Sequence, residues 1–487
     1  MSSLPAFARF RPALEDCSTR LLLDPWLAVG PGCEVHSDTL FALAQRCASL
    51  GLTLCVEESA WSEAARDPDV VRRRVDLSRY EPLVRLPPLP APSERDTAAR
   101  FVPAHSEVGE DDLRLLGALH ARVADLLIAL DGRIHRLAAR AGLGPRVLTP
   151  ADALAWLDGL AGEAEATVVR EVDPREVLQP GPLCDLVEQE CVPNDPYLRD
   201  RLSDGRARAL AVFEGDAPRG IGVLASGDSR NRLELVALAA DERRRGSFLL
   251  EPIVGAALAI ARRLGEPLVA YLPPHEEMTL LLLEQLGFER LGPAEHGREK
   301  LRHASPDARP QPTVEGGAWL VPVSPEEHDR LLPELAVFEQ EELFAADDAA
   351  RGATLGSPLR KQLLLPAGGR TPWPGDLVVL FHGRASRQRA SACATALARV
   401  ESVTRCAGLD EALVLTAARP GLSLDDLRAR LERGPVAVVD LRVHGRLLRL
   451  LPLSLLKDEH VVASAPRGPL PLGSLAWERL SPLLELG

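Results

Sequence analysis

The chain has 487 residues, enough for roughly three domains at about 150 residues each. Hydrophobic residues at 46% and charged residues at 26% exclude a disordered chain. A net charge of -13 excludes a surface coated in nucleic-acid-binding cations, but not a local basic patch.

Aromatics are only 4%, so Leu, Val and Ala must build the cores. No run of 18 apolar residues predicts a membrane span. The opening stretch MSSLPAFARFRPALEDCSTR lacks an apolar core and soon turns acidic, unlike a signal peptide. Eight cysteines show no CxxC pair and no zinc spacing, which predicts reduced thiols and a cytoplasmic protein.

In chain order, LLLD at 21–24 predicts a short strand ending in an acid. Residues 37–51 have helical spacing and stop at a glycine. LTLCVE at 52–57 is a second strand, and SAWSEAARDPD at 59–69 predicts a helix start carrying Glu63. Residues 111–123 predict an amphipathic helix opened by Asp112. ADLLIALD at 124–131 is an apolar strand ending in Asp131. A helix with a glycine stop follows, and then RVLTPADALAWLDGL, a strand and a Thr-Pro helix start. Alternation of this kind predicts a parallel sheet, with sites at the carboxyl ends of its strands.

Residues 86–104 form a Pro-rich insertion, and 163–182 read as a linker. Residues 206–228 predict two strands, 232–242 a third, and 243–265 a long helix introduced by three arginines and a glycine. A strand at 266–274 and a helix from 276 complete the middle segment. A second break lies at 303–313. Beyond it come an acidic helical stretch, a strand within 374–405, a basic loop and a return strand. Residues 410–434 predict a helix pair or a helix and turn, and 435–456 a strand and a polar hairpin.

Four acids stand out: Asp24 and Asp131 closing strands, Asp112 opening a helix, and Glu63. Carboxylates gathered at one place repel unless a hard cation neutralises them. Read without any relative, they are equally well strand ends and helix caps.

Taken together, the Asp24 strand, SEAARDPD and DDLRLLGALHARVADLLIALDGRIHRLAARAGLGPRVLTPADAL resemble a PIN domain. The resemblance implies a Mg²⁺- or Mn²⁺-dependent ribonuclease with Asp24, Glu63, Asp112 and Asp131 as its metal-binding acids. It also implies RNA as a partner, an antitoxin-like protein partner and a homodimer. Pro25 and Trp26 replace the family's usual Thr or Ser and Asn, and Leu130 replaces a Glu.

The middle segment resembles the GNAT acetyltransferase fold. Arg243-Arg244-Arg245-Gly246-Ser247-Phe248 stands at the turn that holds a coenzyme A pyrophosphate in that family. The resemblance implies acetyl-CoA bound at Arg243, Arg244, Arg245, Gly246 and Ser247. Phe248 stands where the family has Gly or Ala, and Leu283 where it has a proton-donating Tyr. GDLVVLFHGRAS and ATALARVESV resemble the PUA-like superfamily, including ASCH and EVE domains. That resemblance implies a small β-barrel and RNA contacts from Arg384, Arg387 and Arg389.

The expected fold class is α/β. A PIN-like parallel-sheet domain (1–168) precedes a GNAT-like α+β domain (180–303) and a PUA-like barrel with a helical lead-in (315–487). The expected function is a toxin-like metal-dependent ribonuclease. The alternatives are an N-acetyltransferase acting on RNA or protein, and a non-catalytic RNA-binding sensor or scaffold.

Overall fold

The computed structural model describes residues 19–29, 33–87, 109–163, 167–190, 196–203, 207–226, 232–241, 246–274, 276–293, 298–303, 316–332, 353–354, 359–383, 392–417 and 422–486. The chain forms two compact units. One is built mainly on Met1–Ala164 and Gly408–Arg428, the other on the remainder.

In the first unit, β1 (Arg20–Leu23), β2 (Thr53–Glu57), β3 (Val84–Leu86), β4 (Leu126–Ile128) and β5 (Val147–Leu148) form one sheet. Its order is β3-β2-β1-β4-β5, and every neighbouring pair is parallel. The expected parallel sheet is therefore present. Leu21, Leu22 and Leu23, like Leu126, Leu127 and Ile128, are fully buried. Unbroken apolar runs are what strands covered on both faces require. Thr149 caps the Pro150–Ala161 helix by accepting from the Asp152 N–H, and Gly162 ends that helix at φ +73°. The Leu409–Thr416 helix, from far along the chain, belongs to this unit, and Thr19 donates to Asp410 at 3.2 Å.

In the second unit, a sheet contains β6 (Thr167–Val172), β7 (Arg208–Glu214), β8 (Ala217–Ser226), β9 (Leu233–Ala240), β10 (Leu268–Leu272), β11 (Phe288–Pro293) and β12 (Glu299–His303). Their order is β11-β12-β10-β9-β8-β7-β6. Only β9 and β10 run parallel. The stretch read as a linker thus holds β6. Its TVVREV alternates inward and outward, and Arg208 clasps Glu171 through two bonds of 2.7 and 2.6 Å. The long Ser247–Leu264 helix covers this sheet. It lies so close to Gly222 that a Cβ there would meet Ile253 at 2.4 Å.

The third sheet takes β13 (Ala318–Val323), β15 (Arg360–Pro366), β16 (Leu377–His382), β17 (Cys393–Cys406), β18 (Val436–Pro452) and β19 (Leu470–Leu472), while β14 (Ala353–Thr354) pairs with β6. The order is β15-β18-β17-β16-β13-β19, with β13 and β16 parallel. The sequence predicts a barrel. Among the described residues no pairing of β15 with β19 closes one. The hairpin expected within 435–456 is also absent. β18 runs unbroken through Gly445, and register shifts against β17 bend it where a turn was read.

Arg360 on β15 pairs with Glu251 on the Ser247–Leu264 helix and donates to Gln285 at 2.8 Å. Glu251 is 0% and Arg360 7% exposed, so this link between two sheets lies out of water. Removing one partner strands a buried charge. Arg360→Met is expected to lower unfolding free energy by about 3–5 kcal/mol, and adding Glu251→Leu to restore most of it. Urea unfolding of the two variants measures this; equal losses would contradict it.

Candidate functional site

Asp24 follows β1 directly, and its backbone N–H donates to the Ile128 carbonyl at 2.9 Å. This fixes it at the carboxyl edge of the parallel sheet. Its carboxylate accepts from the Trp26 N–H at 3.1 Å, and it is 4% exposed. Burial first, and then the negative charges of Asp112, Asp131 and Asp111, push its pKa from 3.8 up to about 6.

Asp131 caps the Gly132–Arg140 helix by accepting from the Arg133 N–H at 2.8 Å. Its second oxygen holds the Arg133 guanidinium at 3.2 and 3.0 Å. Asp112 lies in the first turn of the Glu110–His120 helix. Burial and then Asp131 raise its pKa, while Arg133 and the Gly109 N–H work against the rise. Three of the four acids singled out in the sequence therefore sense one another electrostatically. Glu63 sits exposed near the end of the Glu58–Ala65 helix, past its start rather than at it.

Two acids at this edge escape the sequence reading. Asp111 adds to the field on Asp24 and Asp112. Glu57 ends β2, the neighbour of β1, and is 5% exposed. Its signal was visible: LTLCV runs into Glu57 as LLL runs into Asp24. His135 is half-buried and held below its ordinary pKa by desolvation, with Nε2 2.9 Å from the Ala129 carbonyl.

Of the residues expected to bind acetyl-CoA, Arg243, Arg244 and Arg245 lie outside the described residues. Gly246 is buried just ahead of the helix that Ser247 begins. Phe248 packs against the core beneath, and Leu283 is fully buried. Parallel strands β9 and β10 pair only from Leu233 to Leu235 and from Leu268 to Ala270. Just beyond, Arg298 Nη1 donates to both the Val236 and the Tyr271 carbonyls, each at 2.8 Å. Arg298 is 5% exposed, so its guanidinium ties these two strands together out of water.

Arg384, Arg387 and Arg389 also lie outside the described residues. The Gly-Asp ahead of β16 has a structural role. Asp376 accepts from the Gly317 N–H at 2.6 Å, the Trp319 indole at 2.7 Å and the Trp373 N–H at 2.7 Å. Three donors on one buried carboxylate fix the start of β13 against β16.

No protein-family model and no curated protein matches the chain. Among solved structures, a variant of the ASCH protein from Zymomonas mobilis is similar at 12% identity, over 35% of this chain and 97% of its own, with a TM-score of 0.26. An IAA acetyltransferase from Bacillus cereus is similar at 16% identity, over 28% and 96%, with a TM-score of 0.23. A GNAT family acetyltransferase from Elizabethkingia anophelis, with acetyl-CoA bound, is similar at 14% identity, over 28% and 97%, with a TM-score of 0.24. These are low-scoring likenesses to parts of the chain, and none bears on a PIN domain. Among the described residues, no helix is long and apolar enough to cross a membrane.

A carboxyl group whose folded pKa exceeds its unfolded value binds its proton more tightly in the folded state. Its contribution to stability is full below pH 3.8 and is lost as pH rises through about 6. Ionised Asp24 therefore weakens the fold at neutral pH. Asp24→Asn is expected to gain about 3 kcal/mol over the unsubstituted chain between pH 4 and pH 7.5, without divalent cations. Urea unfolding at the two pH values reads this directly. A gap that does not change with pH would refute the assignment.

Proposed function

We propose that the parallel-sheet unit is a Mg²⁺- or Mn²⁺-dependent endoribonuclease working in the cytoplasm. The observation that supports this most is Asp24, buried and pushed up to about 6 beside Asp112 and Asp131. Stability alone does not favour such an arrangement, because like charges at a strand edge cost free energy. A divalent cation offsets that cost.

The donor set is oxygen only, which suits a hard cation. Among the described residues, these carboxylates do not bring three ligand atoms within 4.8 Å of one another. Mg²⁺ is commonly held by one or two carboxylates with water completing its shell. Asp24, Asp112 and Asp131 would hold the ion, with Glu63 as the fourth acid of the proposed set. When bound, the ion supplies charge stabilisation for hydrolysis of a phosphodiester.

The chain's own groups divide the remaining work. Asp24, fixed at the strand edge by its backbone bond to the Ile128 carbonyl, would orient the ion-binding carboxylates. Arg133 holds Asp131 in place through its guanidinium. Arg384, Arg387 and Arg389 are proposed to bind the RNA phosphates. Acetyl transfer has less support, since Leu283 offers no proton.

Total RNA incubated with the whole chain and Mn²⁺ tests the reading. Cleavage is expected, with a fall of about 100-fold or more in Asp112→Asn/Asp131→Asn and complete loss on chelation. Equal cleavage by both proteins, or none by the unsubstituted chain, would reject it.

A further inference from the structure

His328, Asp329 and His382 lie in the C-terminal sheet region, and no reading of the sequence singled them out. Each offers one ligand atom, and the three atoms lie within 4.8 Å of one another. We propose that they form a binding site for a divalent transition-metal ion of the zinc type.

The scaffold is fixed from both sides. His382 ends β16, which is paired with β13 on one edge and β17 on the other. His328 sits on the Pro325–Leu331 helix, capped by the Ser324 hydroxyl, which accepts from the Glu327 N–H at 3.3 Å. Gly383 lets this helix approach the strand end. A Cβ there would stand 3.0 Å from the Val323 carbonyl and 3.5 Å from Pro325 Cδ.

The hydrogen bonds leave the imidazoles ready to ligate. The Thr395 hydroxyl is 3.3 Å from the Leu380 carbonyl, which can only accept, so its one proton goes there. Thr395 Oγ1 can then accept from His328 Nε2–H, 2.9 Å away. Such a neighbour fixes the tautomer of a metal-binding histidine. His328 Nδ1 is left with a lone pair, 3.9 Å from Asp329 Oδ1. His382 Nε2 is 4.0 Å from the same oxygen, and His382 Nδ1 has no partner. Both separations exceed hydrogen-bond reach. His382, at 2% exposure, therefore sits out of water with its Nδ1 unpartnered. That arrangement is costly unless a ligand completes it.

Two imidazoles and one carboxylate select against Mg²⁺ and Ca²⁺ and for zinc-type ions. Bonds of about 2.1 Å would place the ligand atoms some 3–3.5 Å apart, so a small shift closes the site. Asp329 is 38% exposed at its side chain. Three protein ligands leave a coordination position for water or a substrate.

The test uses the whole chain carrying Asp112→Asn/Asp131→Asn, so that the carboxylate edge of the other unit cannot contribute. Co²⁺ is the probe, since its visible ligand-field bands report coordination directly. One equivalent is expected to bind, displaced by Zn²⁺ but not by Mg²⁺. His382→Gln should weaken binding by about 100-fold. Asp329→Asn changes a half-exposed side chain, so it should leave the metal-free Tm unaltered while weakening Co²⁺ by about 10-fold or more. Bands of unchanged strength in Asp329→Asn would overturn the proposal. So would failure of the parent chain to take up Co²⁺ or Zn²⁺.

Discussion

An ionisable group withdrawn from water must be given a counter-charge, several donors or a ligand, and the buried groups here differ in which they receive. Glu251 receives Arg360. Asp376 receives three N–H donors. Both are thereby structural, and each ties strands or sheets that are distant in sequence. Asp24 receives a single N–H and a surplus of negative neighbours. His382 Nδ1 receives no hydrogen bond, and its Nε2 stands 4.0 Å from Asp329. The first two groups have a counter-charge or several donors within the chain, and the last two do not. Those last two are where chemistry is expected.

Sheet geometry decides where such groups fall. In the first unit all strands run the same way, so acids that end apolar runs collect on one edge. Asp24, Glu57 and Asp131 follow this rule, and Asp112 joins them from a helix start. In the first sheet of the second unit the one parallel pair, β9 and β10, stays paired only from Leu233 to Leu235 and from Leu268 to Ala270. Arg298, just before β12, bridges the two strands beyond that point.

Much of the fold was legible because local rules suffice for it. Burial on both faces demands unbroken apolar runs, and β1, β2 and β4 show them. The Thr149-Pro150 start and the Gly162 stop bound their helix as caps should. Errors arose where local and tertiary signals disagree. TVVREV sits among prolines and acids and reads as linker, yet pairing with β7 makes it a strand. Gly445 reads as a turn, yet continuous pairing with β17 carries β18 through it. The Gly-Asp before β16 resembled a family mark, while its carboxylate serves three local donors.

The sequence by itself determined the order of elements, the parallel first sheet and the acids at its edge, because these follow from periodicity, strand ends and caps. Only the tertiary structure decided which of those acids are coupled. Coupling depends on burial and through-space distance, and it drew in Asp111 while leaving Glu63 exposed. Only the tertiary structure, too, could set Arg298 across β9 and β10 or bring His328 and His382 together. Those partners are separated by tens of residues, and their meeting is fixed by strand pairing and helix packing, which no local pattern encodes.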